Sequence, residues 1–86
     1  MKISRTDRFN KAWERLDESQ KVLARKAIRH LVEDLKYPSL SVKKMKGTNY
    51  LWEVRASRSL RITFQIAQGI IVLRNIGRHD ETLIQP

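Results

Sequence analysis

His79 and a set of arginines and lysines are the residues of this chain whose types and spacing could do chemistry. An imidazole gives or takes a proton near neutral pH, and His79 stands beside Arg78 in Gly77-Arg78-His79-Asp80, at the end of an aliphatic run. Upstream lie Lys43, Lys44, Lys46, Arg55, Arg58, Arg61 and Arg74, with Glu53 as the one acidic residue among them. Such a patch attracts phosphates along a nucleic-acid backbone, because each contact releases counterions. Taken singly, each of these residues also reads as a solvated surface group; taken together, one sign of charge on one face points to an anionic ligand. Glu53 is a second candidate base, with a simple salt bridge to Arg55 as the plainer reading.

Other chemistries lack their residues. There is no cysteine, so disulfides and thiolate metal sites are excluded. His79, Asp80 and Glu81 are adjacent and badly spaced to share one ion, and His30 lies off the apolar stripe of its helix, facing solvent. No metal and no cofactor are expected. No Gly-rich phosphate loop and no Ser/His/Asp or Cys/His arrangement is present.

The elements that must position these residues fall into two parts, with the change near Pro38. Lys2 to Ser4 reads as a short edge strand. Thr6 is an N-cap, followed by Phe9, Ala12, Trp13 and Leu16 at helical spacing. Asp17 with Gln20 resembles a capping box and opens a longer helix to about Leu35. Its stripe is Leu23 or Ala24, Ala27, Ile28, Leu31, Val32 and Leu35. Tyr37-Pro38 stops it. The period then becomes two: Ser41 to Lys46, Leu51 to Ser57, Leu60 to Ala67 and Ile70 to Ile76 read as strands. Gln68-Gly69 is a hairpin turn, Gly77 ends the last and most buried strand, and residues 78–81 form an exposed loop before a short tail from Leu83.

The prediction is a single α+β domain over residues 1–86, order (β)ααββββ: a two-helix hairpin packed on a mainly antiparallel four- to five-stranded sheet. Trp52, Val54, Ala56, Leu60, Ile62, Phe64 and Ile66 face the helices. Glu53, Arg55, Arg61, Thr63 and Gln65 face solvent or a ligand. Lys44 and Lys46 share a face on the preceding strand. Trp13 and Trp52 belong to the core.

The composition agrees with that partition. The chain has 86 residues, 18 basic against 9 acidic, net charge +9 and a pI near 10.5. Residues 1–40 hold 10 basic and 6 acidic residues, whereas residues 41–86 hold 8 basic and only 3 acidic. With no apolar leader at the N-terminus and no long aliphatic run, a soluble cytoplasmic protein without membrane contact is expected.

The stretch KKMKGTNYLWEVRASRSLRITFQIAQGIIVLRNIGRHDETL resembles the RelE/ParE superfamily of bacterial toxins. It has that family's order: a basic residue and Gly, an aromatic-containing strand with an Arg, a polar turn, an Arg-aliphatic-x-aromatic strand, an aliphatic strand and a Gly-basic-x-acidic loop. The pattern Gly77-x-His79-x-Glu81-x-Leu83 is like the ribonuclease branch represented by RelE and YafQ. That resemblance implies a microbial RNase-like fold and, in this branch, a metal-independent endoribonuclease (an mRNA interferase) acting on mRNA at the ribosome to arrest translation and growth. It implies that Arg61 contacts the scissile phosphate and that His79 acts as general acid or base. Arg55 and Arg78 add electrostatic support, and Lys44, Lys46, Arg58 and Arg78 hold the RNA backbone. It also implies an acidic antitoxin as partner in a type II toxin–antitoxin system. Trp52 and Val54 stand where some members carry paired lysines, and the tail TLIQP lacks the aromatic residue often found there.

Two other readings share these features. One is a ParE-like inhibitor of DNA gyrase without catalysis, against which His79 beside the Arg61 face argues. The other is an inactive basic nucleic-acid-binding module.

Overall fold

A computed structural model describes residues 2–48 and 50–86. Strand β1 (Lys2–Arg5) leads to Thr6, whose hydroxyl accepts the Phe9 N–H at 3.1 Å and so caps helix α1 (Asp7–Glu14). The same hydroxyl donates to the Arg74 carbonyl at 2.9 Å, which pins the start of the helix to the sheet. Helix α2 (Glu18–Glu33) opens with the capping box that the sequence predicts. Asp17 Oδ1 accepts from the Gln20 N–H at 2.8 Å, and Gln20 Oε1 accepts from the Asp17 N–H at 2.9 Å. The short link from Arg15 to Asp17 makes the two helices a hairpin.

Helix α2 stops two residues before the expected Leu35, and Pro38 is not what stops it. Asp34 already has extended backbone, and its carboxylate accepts the Lys36 N–H at 2.9 Å, a local bond that competes with another helical turn. Pro38 instead opens a 3-10 turn (Pro38–Leu40), where its missing N–H and fixed φ suit the first position.

The remaining strands are β2 (Lys43–Lys44), β3 (Trp52–Arg55), β4 (Leu60–Ala67) and β5 (Ile70–Arg78). They lie in the order β1-β5-β4-β3-β2, antiparallel throughout except for the parallel pair β1–β5. Strand β2 is much shorter than the predicted Ser41–Lys46, because Ser41 sits in the left-handed region at φ 49° and turns the chain just before it. Gln68 and Gly69, at φ 52° and 75°, form the tight β4–β5 hairpin turn. Strand β5 runs past Gly77: Arg61 pairs with Gly77 and Leu60 with Arg78.

One irregularity decides which side of β5 faces which layer. Thr63 pairs with Asn75 and Phe64 with Leu73, so Arg74 is an extra residue on β5, a bulge. Ile71 and Leu73 before it, and Ile76 after it, therefore all reach the helix-side core, while Asn75 and Gly77 turn to the other face. The core combines Phe9, Ala24, Ala27 and Leu31 of the helices with Val54, Leu60, Ile62, Phe64, Ile71, Leu73 and Ile76 of the sheet. Truncating one of these large side chains to Ala costs about 2–5 kcal/mol. Ala24, not the exposed Leu23, carries the stripe; Trp13 and Trp52 pack at the margin of the core. Burial is shared between β5 and β4, since Leu60, Ile62, Thr63 and Phe64 are all buried on the latter.

The predicted exposed loop at residues 78–81 is helical: α3 spans His79–Ile84. Glu81 Oε1 accepts the Arg78 N–H at 3.1 Å, and Asp80 and Glu81 place negative charge in the first turn, where the helix dipole favours it. Helix α3 packs on β4 and β5 with Thr82 fully buried. No helix among the described residues is long and apolar enough to cross a membrane.

Candidate active site

The sheet face opposite the helical hairpin carries a polar row set by strand register. Lys43 pairs with Glu53, Glu53 with Thr63, and Thr63 with Asn75, across β2, β3, β4 and β5. Beside it runs a second row of Arg55, Arg61 and Gly77. This face is not the open surface that alternation alone predicts. Helix α3 and residues 85 and 86 return across it. Asn75 Nδ2 donates to the Gln85 carbonyl at 2.6 Å, Thr63 Oγ1 donates to the Pro86 carbonyl at 2.9 Å, and the Arg74 guanidinium bonds Gln65 and that same carbonyl. No buried side-chain nitrogen or oxygen among the described residues is left without a partner.

Glu53 is the hub of the uncovered part. Its side chain is only 4% exposed, and its carboxylate lies 3.8 Å from Arg61 Nε, 3.8 Å from Lys43 Nζ and 3.7 Å from His79 Nδ1. A buried carboxylate is tolerated only when opposite charge or hydrogen bonds offset its lost hydration, and here three basic side chains do so. Its ion pairs are with these three groups and not with Arg55, the simple partner expected from the sequence.

Arg61 is held from both ends. Besides the Glu53 contact, its Nη1 donates to the carbonyls of Ser57 at 2.8 Å, Arg58 at 3.1 Å and Leu60 at 3.2 Å. The β3–β4 turn thus wraps one nitrogen of the guanidinium, with the side chain still 16% exposed. A guanidinium fixed in this way loses little further entropy on meeting an anion. His79 is the first residue of α3, and its side chain is 51% exposed. Nδ1 is turned to the carboxylate, which leaves Nε2 as the nitrogen free to meet a ligand.

The other predicted residues divide. Arg55 is opposite Arg61 in the ladder, exposed and in no ion pair among the described residues. Arg58 is exposed in the turn and contributes its carbonyl to Arg61. Arg78 is exposed and pairs with Asp80 at 3.9 Å. Lys44 and Lys46 do not share a strand face, because β2 ends at Lys44. Lys44 pairs with Trp52, and its Nζ lies 5.3 Å from the centre of the Trp52 ring, on the side away from Glu53. Lys43, expected only as a member of the basic patch and with no role of its own in the site, takes the place beside Glu53 instead. Only the register of a two-residue strand distinguishes these neighbours. His30 is not simply solvated either: its ring stacks on Tyr37, centres 4.1 Å apart.

Among the described residues no three His, Cys, Asp or Glu side chains come together as they would to hold a metal ion. The site as built offers a fixed guanidinium, one imidazole nitrogen and surrounding positive charge.

No protein-family model matches this sequence, and no curated protein matches it significantly. Solved structures do. A chain of the RelB–RelE antitoxin–toxin complex of Methanococcus jannaschii matches with a TM-score of 0.78 at 16% identity, over 96% of this chain and 99% of that one. YafQ of E. coli matches with a TM-score of 0.80 at 9% identity, over 93% and 94% of the two chains. A YoeB/ParE toxin of Agrobacterium tumefaciens matches with a TM-score of 0.79 at 16% identity, over 92% and 99%. Over 92–96% of its length, the chain has the α+β fold of these solved structures.

Proposed function

We propose that the protein is the toxin of a type II toxin–antitoxin pair and a metal-independent endoribonuclease that cleaves mRNA, at the ribosome, and so stops translation. The observation that carries this reading is the convergence of Arg61 and His79 on Glu53, on the uncovered part of a basic sheet face.

RNA brings its own nucleophile, the 2′-hydroxyl next to the phosphate that is broken. The protein must align that attack, stabilise the charge that builds on the five-coordinate phosphorus, and manage two protons. Arg61, immobilised by the turn carbonyls and Glu53, is suited to the phosphorane oxygens. His79 Nε2 donates a proton to the departing 5′-oxygen, while the proton of the 2′-hydroxyl passes to solvent. The products are a 2′,3′-cyclic phosphate and a free 5′-hydroxyl. Glu53 stabilises the protonated imidazole and orients Arg61. Already paired with Arg61 and Lys43 and almost wholly buried, it is a positioning residue and not the base. Lys43, Arg55, Arg58 and Arg78 attract the backbone, and Lys44 and Lys46 extend that field. The partner is an acidic antitoxin that neutralises this face.

Inducible expression with RNA 5′-end mapping tests the reading. Growth arrest with new, defined 5′ ends that vanish in His79→Ala and Arg61→Ala supports it. Unchanged arrest in both variants, or intact mRNA with inhibited DNA supercoiling, would overturn it, the second in favour of a gyrase-directed toxin.

A further inference from the structure

A second basic feature lies on the far side of β5 from Glu53. Strand β1 ends at Arg5, opposite Leu73, so among the described residues no strand flanks β5 on that side beyond Leu73. The space left between α1, the end of β5 and α3 is a cleft of about 490 Å³. Arg8 and Lys11 of α1 and Arg15 at its C-cap line one side, and Arg78 lines it from the β5–α3 junction.

Arg8, Lys11 and Arg15 stand at i, i+3 and i+7, and because Arg15 keeps helical backbone at the C-cap they share one helical face, spread over about 10 Å. All three are exposed, and none forms an ion pair among the described residues. Like charges at this spacing repel and destabilise a helix. The one acidic residue in the cleft is Glu81, and its carboxylate is already engaged by the Arg78 N–H. Two backbone groups of β5 here are also engaged: Thr6 Oγ1 bonds the Arg74 carbonyl, and Asn75 Oδ1 accepts the Ile76 N–H. That leaves an added peptide strand few backbone partners, whereas a phosphate chain needs only the side-chain charge.

We propose that this cleft is a phosphate track for single-stranded RNA, holding the backbone that leads away from the bond broken at His79. The proposal rests on the ribonuclease reading for its ligand. The junction itself supplies the continuity: Arg78 lines the cleft, while its neighbour His79 faces Glu53. A strand lying over Arg61 and His79 enters the cleft by turning around the start of α3.

The test is salt-dependent binding of a fluorescent single-stranded RNA to the full chain. For single strands, log Kobs against log[salt] has a slope of about −0.7 for each phosphate neutralised, so the triple variant Arg8→Gln, Lys11→Gln, Arg15→Gln should flatten it by about 2. Arg78→Gln, on a different element, should flatten it by about 0.7. At low salt the triple variant should bind at least tenfold more weakly. Circular dichroism of both variants should match the wild type. An unchanged slope in the triple variant overturns the track. So does a triple variant that loses only its affinity for polyglutamate, which assigns the cleft to an acidic peptide. Cleavage is scored separately. RNA bound with the expected change of slope, together with wild-type expression that produces no new RNA 5′ ends in cells, upholds the track and overturns the ribonuclease reading.

Discussion

Glu53 meets His79 through a single ring nitrogen: Oε2 lies 3.7 Å from Nδ1, a distance for charge attraction more than for a hydrogen bond. The other carboxylate oxygen faces Arg61 and Lys43. One buried anion thus orients the two groups to which the proposed reaction assigns the proton and the phosphorane. Glu53 sits mid-strand on β3, on rigid backbone, while His79 begins a six-residue helix held by the cap from Glu81.

His79→Ala should lower the rate of RNA cleavage by about 10²–10⁴-fold, the usual worth of one positioned proton donor. Half of the side chain is in solvent, and Arg61 and Lys43 remain beside Glu53 without it, so stability should change by no more than about 1 kcal/mol. Single-turnover cleavage of ribosome-bound mRNA, beside a urea melt, separates the two effects.

Glu53 should behave in the opposite proportion. Glu53→Ala leaves the mostly buried Arg61 guanidinium without its anion, while Lys43 turns to solvent, and should cost about 1–3 kcal/mol of stability. Glu53→Gln keeps the shape and loses only the charge. It should melt closer to the wild type while lowering kcat with little change in KM, because it disorders the groups that act on the transition state. Full activity in Glu53→Gln would show that the carboxylate is structural only.

The parts of this architecture that were legible in the sequence are those written in local chemistry. Thr6, the Asp17–Gln20 pair and Gln68–Gly69 each satisfy or bend their own backbone, so they act as the residue types alone suggest. The parts that were not legible depend on pairing between distant segments. The bulge at Arg74 moves Asn75 to the polar face, and no residue type announces it. Lys43 rather than Lys44 joins Glu53 because β2 is two residues long and its register is set by its partner. Helix α3 is too short for a hydrophobic period, and only Glu81, three residues after Arg78, hinted at it. The basic face was foreseen, but its half-covering by residues 79–86 was not.

That covering segment gives a third expectation. Asn75→Ala removes the donor to the Gln85 carbonyl and the acceptor for the Ile76 N–H; Thr63→Val removes the donor to the Pro86 carbonyl. Each lost buried bond costs about 1–3 kcal/mol. Because the two bonds hold the same segment, the double variant should speed hydrogen exchange in α3 more than in α2, and should slow cleavage by loosening His79. Equal protection of α3 in the double variant and the wild type would mean that the packing of Thr82 alone suffices.

The last expectation concerns acid. Hydrogen bonds from the Gln20 backbone and then the Ser19 side chain hold the Asp17 carboxyl below its ordinary value of 3.8. A depressed carboxylate stabilises the folded state only while ionised. Its contribution is therefore complete above the unfolded value, and it fades as pH falls from about 4 through the lower folded value. Asp17→Ala removes that contribution at neutral pH, along with the capping box at the head of α2. The melting temperature of the variant should thus lie below that of the wild type at pH 7, with the gap narrowing steadily under acid as the wild-type cap protonates. Asp17→Asn retains an acceptor for the Gln20 N–H without the charge, so it should fall between the two at pH 7. A gap between wild type and Asp17→Ala that stays constant from pH 7 down to pH 2 would show that the ionised carboxylate contributes nothing beyond its shape.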